Sequence, residues 1–245
     1  MTGTDVELGR RVTVSEVFGP TLQGEGPQAG RLAVFVRFGL CNLTCSWCDT
    51  PYTWDWTGRN GVAFDKGSLQ RHTVDKVYDD ARALAGDRPG AEPLLVITGG
   101  EPLVQERAVA SLALRWPWDT AIETNGTYPY SDALVLVDHP IVSPKLSSAG
   151  MPEADRIRPD ALQTWVYCTR AVFKFVVASE QDLAEVVELA DRFAIAPSRV
   201  WLMPEGTTSS ALAAQHRTVF DAAVRHGFNA STRLHVLAYE DQRGV

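Results

Sequence analysis

Three of the chain's four cysteines, Cys41, Cys45 and Cys48, crowd into "FGLCNLTCSWCDTPYTWDW", residues 38–56. Thiols this close in a reduced protein point to metal or cluster ligation rather than to a disulfide framework. Structural zinc wants four ligands, usually as two pairs. No histidine lies in the loop, and Cys168, in "TWVYCTR", stands alone and reads as a buried thiol. A cubane iron–sulfur cluster is normally held by four thiolates. Three would leave one iron open to a second ligand, and an amino group with a carboxylate could chelate it.

A loop of ligands needs a rigid frame. Apolar runs at 12–18, 32–38, 94–97, 121–123, 134–137, 172–177, 200–203 and 234–237 read as strands, several of them continuous Val/Ile/Leu stretches. Between them Val74, Val77, Ala81 and Leu84 recur at helical spacing. Leu183, Val186, Val187, Ala190 and Phe193 do the same behind Ser179 and Asp182, a capping-box pair. This alternation predicts an α/β fold on a mostly parallel sheet, doubly wound or a partial barrel. No repeat, low-complexity tract or composition break marks a linker, so residues 1–245 read as one domain.

In parallel folds chemistry collects beyond the C-terminal ends of the strands. Here the strands run into Arg37 and the cysteine loop, "TGGEP" (98–102), "ETNGT" (123–127), "SPK" (143–145) and "MPEG" (203–206). Arg37, at the end of an apolar strand, needs an anion, either an internal acid or a ligand's carboxylate.

The 245 residues carry a formal net charge of −7, with 45% hydrophobic and 22% charged residues. That balance disfavours a nucleic-acid or anionic-membrane partner. The opening "MTGTDVELGRRVTVSEVF" lacks the apolar core of a signal peptide, and no run approaches a membrane span, so a cytoplasmic location is expected.

The spacing Cys41-x3-Cys45-x2-Cys48, with Trp47 before the last cysteine, resembles the signature of the radical S-adenosylmethionine (SAM) superfamily, and "TGGEP" resembles its glycine-rich motif. Within it, residues 16–56, then "TGGEP", "ETNGT", "VSPKLSSAGMPE" and "FKFVV", resemble the 7-carboxy-7-deazaguanine synthase family in the same order. The similarity spans about residues 12–206, and "LHVLAYEDQRGV" extends past it.

The resemblance implies a trimmed radical SAM partial (β/α) barrel and a homodimer. It implies a [4Fe-4S] cluster on Cys41, Cys45 and Cys48, with SAM on its fourth iron and reducing electrons from a flavodoxin-like or ferredoxin-like donor. The substrate would be 6-carboxy-5,6,7,8-tetrahydropterin and the product 7-carboxy-7-deazaguanine, made by a ring contraction that loses ammonia and feeds 7-deazapurines such as queuosine. Around SAM would lie Trp47, Cys48, Asp49, Gly100, Ser143, Pro144, Lys145, Met203, Pro204, Glu205 and Gly206. The Thr50 hydroxyl would bind magnesium with support from Asp49, although "CDT" also reads as an Asx-type turn. Leu22, Gln23, Gly24, Glu25, Arg37 and Thr98 would meet the pterin, Arg37 taking its carboxylate. Two other readings remain: an activase that installs a glycyl radical on a partner enzyme, and a zinc-binding module without catalysis.

Overall fold

The computed structural model describes residues 11–245; the segment 1–10, which opens the stretch read as lacking a signal peptide, lies outside the described residues. The strands are β1 (Arg11–Leu22), β2 (Leu32–Phe38), β3 (Gln70–Thr73), β4 (Leu94–Gly99), β5 (Thr120–Thr124), β6 (His139–Val142), β7 (Val172–Val177), β8 (Val200–Pro204) and β9 (Asn229–Ala230). The helices are α1 (Val74–Ala85), α2 (Glu106–Arg115), α3 (Glu153–Arg156), α4 (Pro159–Tyr167), α5 (Glu180–Arg192), α6 (Ser209–His226) and α7 (Leu234–Tyr239).

One sheet runs β3-β1-β2-β4-β5-β6-β7-β8-β9, and its first and last strands do not pair. It is open, an incomplete barrel. β1 pairs antiparallel with β2 and β3, whereas β2 and β4 to β9 are parallel throughout. The ends of the parallel strands therefore meet on one edge.

Helices cover the outer face, where Val34, Val36, Leu95, Ile97, Ile122, Val142, Phe173 and Phe175 join the main core. A smaller apolar layer of Ala33, Phe35, Leu94, Val96, Ala121 and Ile141 lines the inner face. Burial on both faces explains why these strands read as unbroken apolar runs.

Two expected strands are not strands: 134–137 is the end of a 3-10 helix and the turn after it, and 234–237 is helical. At 134–137, Leu134 and Val137 are buried while Val135 and Leu136 are exposed. The Val137 N–H donates to the Leu134 carbonyl at 3.0 Å. Burial at i and i+3 is the spacing of a helical turn, not the alternation of a strand. The sheet strand here is β6, "HPIV", which the pattern passed over because it is short and begins His-Pro. The run at 234–237 falls within α7, where Val236 is buried and Leu234 and Leu237 are exposed.

α1 and α5 form as their spacing predicts. Ser179 Oγ accepts from the Asp182 N–H at 3.2 Å, but the Asp182 carboxylate takes the Ala178 N–H at 2.8 Å rather than that of Ser179. The capping pair therefore reaches one residue further back than expected.

Candidate active site

A cavity of about 630 Å³ opens at the C-terminal edge of the sheet. Side chains alternate along a strand, so a residue two beyond an inner apolar one points the same way. Phe35 is followed by Arg37, Val96 by Thr98, Ala121 by Glu123, Ile141 by Ser143 and Val172 by Lys174; each second member lines the cavity. The same alternation excludes Pro144 and Pro204. Met203 and Glu205, on either side of Pro204, line the cavity, as do Ser143 and Lys145 beside Pro144. Gly206 is also outside the lining; its carbonyl accepts from Arg233 at 2.8 Å.

The cysteine loop forms one wall. Cys41, Cys45 and Cys48 are free thiols packed with Leu43, Trp47, Ala149 and Met151. Burial pushes Cys41 up to about 12 and Cys45 up to about 11, and Cys48 also upward. Two donors already point at sulfur: the Leu43 N–H to Cys41 Sγ at 3.4 Å and the Trp54 indole N–H to Cys48 Sγ at 3.3 Å.

The glycine-rich loop is fastened to this wall. Gly100 N–H donates to Phe38 O at 3.1 Å and Glu101 N–H to Leu40 O at 2.8 Å. A Cβ on Gly100 would stand 2.1 Å from Leu40 O, so the first reason for glycine here is the chain's own cysteine loop. Glu101 is fully buried. Its carboxylate accepts from Leu103 N–H at 2.9 Å, Thr124 Oγ at 2.8 Å and Asn125 N–H at 2.7 Å, which ties "TGGEP" to "ETNGT".

A network of charges lines the same cavity. Lys174 Nζ donates to Glu25 at 2.5 Å and to Glu123 at 3.2 Å; Arg233 Nε donates to Glu25 at 2.8 Å, and its terminal nitrogen to Asp49. Glu123 also accepts from Thr98 Oγ at 2.9 Å and Gln23 Nε2 at 3.3 Å. Burial alone would raise Glu25, but Lys174 and Arg233 outweigh it and hold the carboxyl well below the usual range. Desolvation likewise opposes the charge on Lys174, and Glu123 and Glu25 more than offset it. Burial keeps His235, beside Glu25, toward its neutral form. Three carboxylates face two cations, an excess of one negative charge.

A second pole has the opposite sign. Arg37 Nε donates to Glu16 Oε1 at 2.7 Å, Tyr52 donates its hydroxyl to the same oxygen at 3.2 Å, and Arg243 Nε donates to Oε2 at 2.9 Å. Two guanidiniums share one carboxylate, an excess of one positive charge.

Of the pterin-facing residues read from sequence, Leu22, Gln23, Gly24, Glu25, Arg37 and Thr98 all line the cavity. Glu25 is already paired twice, and Arg37 has the internal acid Glu16. Gly24 leaves room for His235, whose Nδ1 would lie 2.2 Å from a Cβ there. Among the intended cofactor residues, Trp47, Cys48, Asp49, Gly100, Ser143, Lys145, Met203 and Glu205 line it as well. Lys145 donates to Ser143 Oγ at 2.9 Å. Asp49 gives one carboxylate oxygen to Arg233. The Thr50 hydroxyl has Cys48 Sγ at 3.7 Å.

Sequence reasoning missed Glu123, Lys174, Arg233, Tyr52 and Arg243. The first two did leave a signal: a charge inside an apolar strand, in "TAIET" and "VFKFVV", is costly to bury without a partner. The others come from segments without such a contrast.

The radical SAM superfamily profile matches residues 35–153. The chain is 38% identical to the 7-carboxy-7-deazaguanine synthase of Pyrobaculum aerophilum, over 96% of this chain and 97% of that one. It is 36% identical to that of Hyperthermus butylicus, over 91% of each chain. The chain belongs to the 7-carboxy-7-deazaguanine synthase family. A crystal structure of QueE from Escherichia coli shares the fold, with a TM-score of 0.69 at 22% identity, covering 96% of this chain and all of that one. Among the described residues no helix is long and apolar enough to cross a membrane.

Membership in this radical SAM family implies a [4Fe-4S] cluster and SAM, and the residues present fit a cluster. Three thiols, one buried and two half-buried, share one wall, and N–H groups already point at two of the sulfurs, the kind of hydrogen bond that tunes cluster thiolates. Among the described residues no group of three or more His, Cys, Asp or Glu side chains is gathered to hold a single metal ion. A mononuclear zinc site draws its ligands to within about 2.3 Å of one point, whereas a cubane gives each thiolate its own corner.

Proposed function

We propose that this chain is a 7-carboxy-7-deazaguanine synthase that converts 6-carboxy-5,6,7,8-tetrahydropterin to 7-carboxy-7-deazaguanine with loss of ammonia. The observation that carries this reading is a cavity with two charged poles beside a three-cysteine wall, in a chain related over nearly its whole length to enzymes of that name. A carboxylated pterin has a donor-rich amine edge and an anionic group. It matches an excess negative charge at Glu25, Glu123 and Asp49 and an excess positive charge at Arg37 and Arg243.

Cys41, Cys45 and Cys48 hold the cluster in this reading. When bound, cluster and SAM together supply the hydrogen-abstracting radical chemistry. Around SAM stand Trp47, Cys48, Asp49, Gly100, Ser143, Lys145, Met203 and Glu205, while Pro144, Pro204 and Gly206 shape the backbone behind them. Gln23, Glu25 and Glu123 keep lone pairs for the pterin's amine edge. Thr98 aims Glu123, and Leu22 and Gly24 bound the same wall. Arg37, bound to Glu16 through Nε alone, offers its terminal nitrogens to the carboxylate. The Thr50 hydroxyl is the protein oxygen for Mg²⁺, a cation that keeps most of its ligands from water and substrate. The remaining expectations stand with this reading: a single domain, a homodimer in the cytoplasm, a small-molecule substrate and a flavodoxin-like or ferredoxin-like electron donor.

The test is anaerobic incubation of the reconstituted protein with 6-carboxytetrahydropterin, SAM and a reductant, analysed by mass. The deazaguanine is expected. SAM cleavage without it, whatever pterin is offered, would overturn the substrate assignment.

A further inference from the structure

The segment 240–245, which follows α7 and lies beyond the part of the chain whose sequence motifs resemble the family, folds back along the cavity and lines it. Its anchor is Arg243. That side chain donates through Nε to Glu16 Oε2 at 2.9 Å and through a terminal nitrogen to Ser15 Oγ at 3.3 Å, and its guanidinium lies 3.9 Å from the centre of the Tyr52 ring. Glu16 uses its other oxygen for Arg37 and Tyr52. Glu16 is thus divided between two arginines, one from each side.

This division has an electrostatic consequence. Arg37 and Glu16 alone would neutralise one another, and Glu16 would be free to grip Arg37 with both oxygens, the preferred fork geometry. With Oε2 committed to Arg243, the Arg37 contact stays on Nε, and the cluster Arg37–Glu16–Arg243 keeps a net positive charge. Asp49 also acts on Arg37 through space, but its carboxylate is bonded to Arg233, and the segment's own acidic side chains do little to cancel the charge. Glu240 turns to Ser209, accepting its N–H at 2.8 Å and its hydroxyl at 2.5 Å, and Asp241 is exposed, where water screens it.

We propose that Arg243 is a positioning residue for substrate recognition: by occupying Glu16 it keeps Arg37 charged, uncompensated and open toward a ligand carboxylate. The inference rests on the reading above that Arg37 takes the substrate's carboxylate. Arg243 itself acts through Glu16. It gives the 240–245 segment a role in choosing carboxylated over uncarboxylated pterins.

The test is equilibrium binding of 6-carboxytetrahydropterin, and of a tetrahydropterin lacking the carboxylate, to the anaerobically reconstituted protein with SAM. Wild type, Arg243→Ala, Arg243→Lys, Arg243→Ala with Glu16→Gln, and Arg37→Ala are compared. Losing the uncompensated charge should weaken the carboxylated ligand about tenfold in Arg243→Ala and leave the other ligand within about twofold. Arg243→Lys should keep most of the preference, because the charge stays. Neutralising Glu16 in the Arg243→Ala background should restore much of it, a rescue that a merely structural strap would not show. Equal weakening of both ligands in Arg243→Ala, or no rescue by Glu16→Gln, overturns the inference. Should Arg37→Ala leave the preference intact, the carboxylate assignment to Arg37 falls first, and a preference lost in Arg243→Lys as fully as in Arg243→Ala shows that charge is not the means.

Discussion

The two walls of the cavity are built on opposite principles. The cysteine wall is unsatisfied: one buried and two half-buried thiols, pushed toward the neutral form by desolvation, with two N–H groups directed at sulfur and Lys145 acting electrostatically on Cys45. The charged network is satisfied before any ligand arrives, because Lys174 and Arg233 already bridge Glu25, Glu123 and Asp49. A wall that must acquire a metal gains by leaving its ligands unpaired. One that must recognise a polar molecule gains by fixing its donors and acceptors in advance, since their ordering is then complete before binding.

The contrast can be broken at several points. The largest effect is expected from Cys45→Ala, which removes one of three thiolates and should abolish cluster assembly and activity. Cys168→Ala, in the core, should keep the iron and cost only about 1 kcal/mol of stability. Iron analysis of both proteins decides it: near-normal iron in the Cys45 variant would end the assignment of this wall to the cluster.

Next comes Lys174→Met, which strips a buried shared cation from two mostly buried carboxylates. Breaking such a pair typically costs about 3–5 kcal/mol, and denaturant unfolding of the apo-protein should show it. The pH dependence sharpens the point. Glu25 has its folded pKa depressed, so its contribution is fully present above the ordinary carboxylate range and is lost as pH falls through the folded value. Wild type should therefore lose stability on acidification below about pH 4.5, and Lys174→Met should show a shallower acid limb. An unchanged limb would mean that the network is not prepaired in solution.

Glu101→Ala should follow, since it leaves two backbone N–H groups and the Thr124 hydroxyl without their buried acceptor, at about 2–3 kcal/mol. Because Glu101 ties the loops flanking both walls, the variant should also lower SAM affinity. Stability lost with SAM binding untouched would show that the two loops are independently held.

The smallest effect is expected from Thr50→Val. It keeps the shape and loses one oxygen, so cluster content and SAM cleavage should persist while magnesium stimulation of product formation weakens. A variant that answers magnesium as the parent does would place the ion elsewhere.

How much of this was legible in the chain depends on the range of the interaction that carries it. The cysteine spacing, "TGGEP" and the apolar runs of β2, β4 and β7 are local patterns, and they were enough for the cluster wall, the parallel sheet and the edge on which chemistry collects. Short strands were less legible: β6 has only four residues, and the turn at 134–137 has the composition of a strand but the burial spacing of a helix. Glu25 and Arg37 were found as cavity residues, yet not their partners. Glu25 meets Lys174 and Arg233 across 149 and 208 positions, and Glu16 meets Arg243 across 227. No periodicity links residues so far apart. Residue type and spacing by themselves determined which groups are chemically able to act, because thiol ligation, glycine turns and strand burial are properties of a few neighbouring residues. The tertiary structure alone decided which charges neutralise one another and which stay uncompensated, because that balance depends on distances of 3–4 Å between segments that only folding brings together.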